Sequence, residues 1–181
     1  IGETDLNPWI ARECIEAPGT HTMDQGLGSM LIGENPLEIE KLWWKAYQET
    51  AMTGRRCALI NALGAIDMAL WDIAGKFYGQ PIYKLLGGAF RLQVKPYATG
   101  FYRIKGQGEA QRLADEAIRH FEAGFTHMKV KLGYGVDDDI ACMNAIGKAI
   151  QGKPIKLMVD TNHAYGRAEA LRLGRALEAF D

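Results

Sequence analysis

Cysteine is scarce and unpatterned in this chain. Cys14, Cys57 and Cys142 are three in number, far apart and without a Cys-x-x-Cys pair, which excludes a disulfide framework and a structural zinc site. A reducing cytoplasm is the compartment expected. Net charge is missing too: the formal balance is −1, so no basic field exists for nucleic acid. No uninterrupted apolar run reaches the roughly 20 residues that span a bilayer, and no basic-then-apolar leader precedes a small-residue cleavage site. Neither a membrane nor a secretory route is therefore expected. Phosphate cradles are absent as well. Gly106-Gln107-Gly108 and Gly26-Leu27-Gly28 lack the third glycine of a dinucleotide site, Gly147-Lys148 has no glycine five residues earlier, and no Gly-x-Ser-x-Gly elbow occurs.

What is present suits a globular α/β protein. With 181 residues, 48% of them hydrophobic and 24% charged, the chain can bury a core in one or two domains. Ile1-Gly2-Glu3-Thr4 reads as the tail of a strand already under way, with no initiator Met, and predicts a piece of a longer polypeptide. Residues 8–35 are rich in Gly, Pro and Thr, offer no sustained period, and read as a binding loop in which Trp9 and His21 contribute. From Pro36 an apolar stripe of Leu37, Ile39, Leu42, Trp43 and Ala46 predicts a helix fading near Thr53-Gly54. Trp43 and Trp44 sit at core spacing and are expected to pack. A second helix, about Ala58 to Tyr78, is apolar on most faces and must be buried on more than one side. Gly79 stops it, Pro81 opens a short turn, and Gly87-Gly88 ends that.

After about Arg91 the texture changes to alternating strand and helix. Strands are predicted over 92–99, 126–132 and 155–160, and helices over 108–123, 139–150 and 168–180. The period of about 30 residues is that of a βα unit, and three such units in succession predict a parallel sheet. A closed eight-unit barrel needs about 250 residues, so roughly five units lie outside this sequence.

Two strings mark the ends of consecutive strands: Lys129-Val130-Lys131 and Asp160-Thr161-Asn162. Alternation puts Lys129 and Lys131 on one face and Asp160 and Asn162 on one face, with like positions roughly 6.5 Å apart. Side by side, two ammonium groups would face a carboxylate at the carboxyl ends of parallel strands, where α/β barrels place their chemistry. Taken singly, each string has a plain reading. Lysines at a strand end protect an edge, and an aspartate after a strand makes a turn. Their joint occurrence at one βα spacing favours a site. His163 is balanced between a backbone-bonded loop histidine and a substrate contact. His21, His120 and His127 read as structural or surface. Asp137-Asp138-Asp139 resembles a metal cluster but is better explained as first-turn charge and capping.

The segment Ala62-Leu63-Gly64-Ala65-Ile66-Asp67-Met68-Ala69-Leu70-Trp71-Asp72-Ile73-Ala74-Gly75-Lys76, continuing through Gly79-Gln80-Pro81 to Leu85-Leu86-Gly87-Gly88, resembles the signature of the enolase superfamily in its mandelate racemase and muconate-lactonizing branch. The two site strings resemble that family's second- and third-strand motifs in order and spacing. The resemblance implies an α+β capping domain over residues 1–90, followed over 91–181 by the first three units of a (β/α) TIM-type barrel of parallel strands. It implies Lys131 as the acid/base that moves a proton at the carbon beside a carboxylate. Lys129 would be the neighbour that holds the substrate carboxylate and lowers its partner's pKa. Asp160 would be the first carboxylate ligand to Mg²⁺, and Asn162 a polar residue at the edge of the site. We also expect His163 to face the substrate. The implied activity is Mg²⁺-dependent lyase or isomerase chemistry on a small-molecule acid sugar, foremost dehydration, by a homo-oligomer. Racemisation, epimerisation and cycloisomerisation use the same half-site, and a silent binding relative is the alternative of another class.

The chemistry accounts for these residue types. A proton α to a carboxylate is very weakly acidic, so the charge that develops on its removal needs a divalent cation and fixed donors. Mg²⁺ prefers oxygen ligands, which suits Asp160. A lysine serves as base near neutral pH only if it loses its proton easily; a second ammonium and a metal nearby favour the neutral form, and Lys129 is placed to supply the first.

Overall fold

The computed structural model describes residues 1–20, 25–52, 54 and 56–180. His21, for which a role in the loop was expected, lies outside them. The chain forms two compact units, Ile1–Leu92 and Gln93–Asp181.

The first unit is helical. It comprises α1 (Pro8–Glu16), a 3-10 turn (Leu27–Met30), α2 (Ile39–Glu49), α3 (Ala58–Tyr78) and α4 (Ile82–Leu85). The expected strand tail at Ile1 is irregular backbone whose terminal ammonium pairs with Asp72. The loop expected from residue 8 is corrected as well, because α1 occupies its first third. Asn7 caps that helix, its side chain accepting from the Trp9 amide at 3.0 Å, with Pro8 in the first turn. This cap and proline are a helix-start signal that outweighs the lack of a long apolar period. Helix α3 holds the unit together. Ala62 and Leu63 meet Leu27, Met30 and Ala46 in one cluster, and Leu70 and Ala74 meet Ile39 and Leu42 in another. By length and mean hydropathy alone, 1.3, α3 could cross a membrane. Asp67 and Asp72 interrupt it, however, and the two clusters use it as a core helix. Gly79 closes it in a left-handed conformation, φ 61°, which a side chain would strain. Trp43 is half-buried, but Trp44 is 54% exposed and stacks on Tyr47 instead of entering the core.

The second unit alternates β1 (Ala98–Gly100), α5 (Ala110–Glu122), β2 (His127–Lys131), α6 (Val136–Ile150), β3 (Lys156–Asp160), α7 (Arg167–Leu177) and a last turn, Glu178–Phe180. The sheet is parallel in the order β1-β2-β3. Strand β1 is three residues long where eight were expected. Phe90, Leu92 and Val94 are 98%, 89% and 77% exposed; a strand persists only where a neighbour accepts its hydrogen bonds, and β2 reaches β1 only from Ala98 onward. Met128 and Val130 point from β2 into a core shared with Leu113, Ala117, Cys142, Met143 and Ile146. Both are fully buried, each contributing roughly 1.5–3 kcal/mol by removal from water.

Candidate active site

Alternation along β2 sends Met128 and Val130 to the helix-covered face, leaving Lys129 and Lys131 on the other. The β2–β3 register sets Lys131 directly beside Asp160. Lys131 Nζ donates to Asp160 Oδ2 at 2.7 Å, and Lys129 Nζ lies 3.5 Å from the same oxygen. The other oxygen, Oδ1, accepts the Asn162 amide at 2.9 Å, so Asp160 also makes the turn that ends β3. That turn puts Asn162 at φ 49° and brings its Oδ1 within 3.4 Å of Lys131 Nζ. Lys129, Lys131, Asp160 and Asn162 therefore form one cluster. His163 is exposed and is not drawn into it by any contact.

Two ammoniums and a backbone amide converge on one carboxylate, and its charged form is favoured accordingly. The Lys131 hydrogen bond, then the Asn162 amide, hold Asp160 down to about 2. The same bond raises Lys131 above the ordinary lysine value. A directly bonded anion at 2.7 Å outweighs a like charge that is itself paired to that anion. Lys129 also rests over the Tyr97 ring, 5.6 Å from its centroid.

Behind the lysines, the loops that follow the strands are tied together by buried polar contacts that the sequence reading missed. Asp139, expected as a capping residue, does reach back to the loop before its helix: Oδ2 accepts from Gly133 N at 2.7 Å and Oδ1 from Tyr134 N at 3.3 Å. It is also fully buried and accepts from Tyr165 Oη at 2.5 Å and Arg103 Nη2 at 3.3 Å. Tyr165 accepts in turn from Gly135 N at 2.9 Å, and burial, then the Asp139 bond, push its phenol up to about 12. Arg103 also pairs with Asp138 at 2.8 Å. Asp138 accepts from Gly108 N at 2.7 Å, while Asp137 is exposed and pairs with Arg172 of α7. The loop after β2 is thus fastened to those after β1 and β3. Gly133 makes the close approach possible: at φ 110°, a Cβ there would stand 2.8 Å from Ala164 Cβ and 3.0 Å from Thr161 O.

The oxygens of Asp160 and Asn162 are hard donors of the kind Mg²⁺ takes, and Mg²⁺ is commonly held by one or two carboxylates with the remaining positions left to water and substrate. The donor chemistry therefore fits, in part. Among the described residues, no group of three or more His, Cys, Asp or Glu side chains is arranged around a common point.

A parallel βα sheet with lysines and a carboxylate at its carboxyl edge matches the edge at which α/β barrels place their chemistry. The family models agree: the mandelate racemase / muconate lactonizing enzyme N-terminal domain matches residues 8–87, and the enolase C-terminal domain-like model matches 112–181. The chain belongs to the mandelate racemase and muconate-lactonizing branch of the enolase superfamily, as a capping domain and part of a barrel. It is 38% identical over 156 residues to a D-galactarolactone cycloisomerase from Agrobacterium fabrum, covering 86% of this chain and 41% of that protein. It is 40% identical over 158 residues to an arabinonate dehydratase from Saccharolobus solfataricus, covering 87% and 42%. A racemase from Streptomyces coelicolor, solved with bound magnesium, superposes with a TM-score of 0.82 at 27% identity, covering 98% and 46%. The chain spans about two-fifths of the length of the curated relatives it matches.

Proposed function

We propose that this chain carries half of the active site of a cytoplasmic, Mg²⁺-dependent enzyme that removes the proton α to the carboxylate of an acid sugar, foremost a dehydratase. The observation that carries the reading is the register pairing of Lys131 with Asp160, with Lys129 on the same oxygen. A metal held through Asp160 would supply positive charge where the substrate carboxylate becomes electron-rich. Asn162 lies beside Asp160 as a second oxygen donor to such an ion or to the substrate. Lys129 holds the substrate carboxylate. Lys131 takes the proton from the adjacent carbon, and the β-hydroxyl departs with that proton as water, leaving an enol that settles to the 2-keto-3-deoxy acid. Lys131 keeps its own proton while Asp160 accepts its hydrogen bond. Whatever takes up that carboxylate frees Lys131, and the like charge of Lys129 then favours the neutral amine.

A second reading within the superfamily, cycloisomerisation, is favoured by the resemblance to the D-galactarolactone cycloisomerase. It shares the proton-transfer step and differs in what leaves. The test uses the intact polypeptide that carries these residues, with Mg²⁺ and a panel of five- and six-carbon aldonates and aldarates, in D₂O. Loss of the C2 proton signal with appearance of a 2-keto-3-deoxy product is the expected result. With an aldarolactone added to the panel, exchange that gives a ring-opened keto-acid isomer without loss of water supports the second reading, and no exchange with any acid refutes both.

A further inference from the structure

Asp139 is a fully buried carboxylate that takes no part in the proton transfer proposed above. Burying an ion is costly, and capping a helix does not ask for it. Its oxygens accept from donors on three loops: Gly133 N at 2.7 Å and Tyr134 N at 3.3 Å after β2, Tyr165 Oη at 2.5 Å after β3, and Arg103 Nη2 at 3.3 Å after β1. Gly133 is the second residue past Lys131, and Tyr165 the third past Asn162. The carboxyl ends of β2 and β3 are thereby joined in three places. Leu132 N donates to the Asp160 carbonyl at 3.0 Å, Lys131 Nζ donates to the Asp160 carboxylate at 2.7 Å, and beyond both Asp139 bridges Gly133 and Tyr165. The second of these is given up whenever Asp160 turns to another partner, as the proposed function requires. The third is kept, because Asp139 lies out of reach of solvent and none of its atoms is spent in the reaction.

We infer that Asp139 is a positioning residue for the proton transfer: through Gly133 and Tyr165 it fixes the end of β2 against the end of β3, and so keeps Lys131 at its working distance from the substrate once the Asp160 bond is released. This rests on the function proposed above and adds the group that holds the base in place. A misplacement of about 1 Å costs such a step about 100-fold.

Tyr165→Phe tests it, because the ring stays and only the β3 arm of the bridge is lost. The measurement is kcat and KM of the intact enzyme, with Mg²⁺, on an acid sugar that it turns over, carrying hydrogen or deuterium at C2. Rates are taken per folded molecule, the folded fraction being read by circular dichroism. The variant should lose about 10- to 100-fold in kcat with KM within about twofold, the pattern of an interaction that matters in the transition state. Its C2 isotope effect should be at least as large as the parent's, since proton transfer is the step that slows. Asp139→Asn, which keeps an oxygen for Gly133 N but loses the charge, should move kcat in the same direction. Ile146→Val loosens the buried core of α6 without touching the three loops, and should keep the parent's kcat and isotope effect. Tyr165→Phe at the parent's kcat, a loss accompanied by a smaller isotope effect, or an equal loss in Ile146→Val would overturn the role of Asp139 while leaving the proposed function standing. A wild-type enzyme that exchanges the C2 proton of no acid sugar overturns both.

Discussion

Replacing Tyr165 with Phe removes one oxygen from the contacts behind the lysines, and the structure sets the size of the effect. That oxygen donates to the buried Asp139 at 2.5 Å and accepts from Gly135 N at 2.9 Å. Hydrogen bonds to charged groups contribute about 1.5–3 kcal/mol, and an orphaned amide adds a penalty of its own. Asp139 keeps Gly133 N at 2.7 Å and Arg103 at 3.3 Å, which limits the loss to about 2 kcal/mol, or about 30-fold in an opening equilibrium. Amide hydrogen exchange is the assay. Gly133, Tyr134 and Gly135 should exchange about 30-fold faster in the variant, while the α6 core around Met143 and Ile146 is unchanged. The pH dependence carries a sign. Tyr165 is held up to about 12, so its contribution is complete below the ordinary tyrosine value of about 10 and fades as pH rises toward 12. The stability gap between parent and variant should therefore hold to about pH 10 and narrow above it. Unchanged protection of residues 133–135 would refute the role assigned to these contacts.

Gly133→Ala should destabilise by about 1–3 kcal/mol, since φ 110° strains a side chain and its Cβ would meet Ala164; chemical denaturation measures it. The Asp160 carboxyl, followed by carbon-13 NMR, should titrate at about 2. Its stabilising pairing is complete above the ordinary value near 4 and lost as pH falls through 2. Lys131→Met should move that titration upward, because the Lys131 hydrogen bond is its largest cause. Asp160→Asn should weaken Mg²⁺ binding to the intact enzyme by at least about tenfold, a neutral amide replacing an anionic ligand, as read by calorimetric titration.

Local signals were legible in the sequence and distant pairings were not. Helix α3 falls on residues 58–78 because its apolar run ends at a glycine able to adopt the left-handed cap. The side-by-side placement of Lys131 and Asp160 follows from two strand ends one βα unit apart. Helix α1 was missed because its evidence is two residues, Asn7 and Pro8, and not a period. The contacts among Arg103, Asp139 and Tyr165 join residues 26 and 36 positions apart. No periodicity announces such a pair; only the packing of three loops does. Spacing showed that two lysines share a face, but which of them bonds Asp160 more closely is a matter of ångströms.

The most direct test of the account is the rate at which the intact enzyme, saturated with Mg²⁺ and an acid sugar that it turns over, exchanges the C2 proton with D₂O when Lys131 is replaced by Met. The expected result is a variant that stays folded, with a melting temperature lowered by loss of the Lys131–Asp160 bond, and exchange at least about 10³-fold slower, the general-base contribution being about 10²–10⁴-fold. Exchange within a few-fold of the parent rate would show that another group moves the proton and that the Lys131–Asp160 pair only holds two strands together.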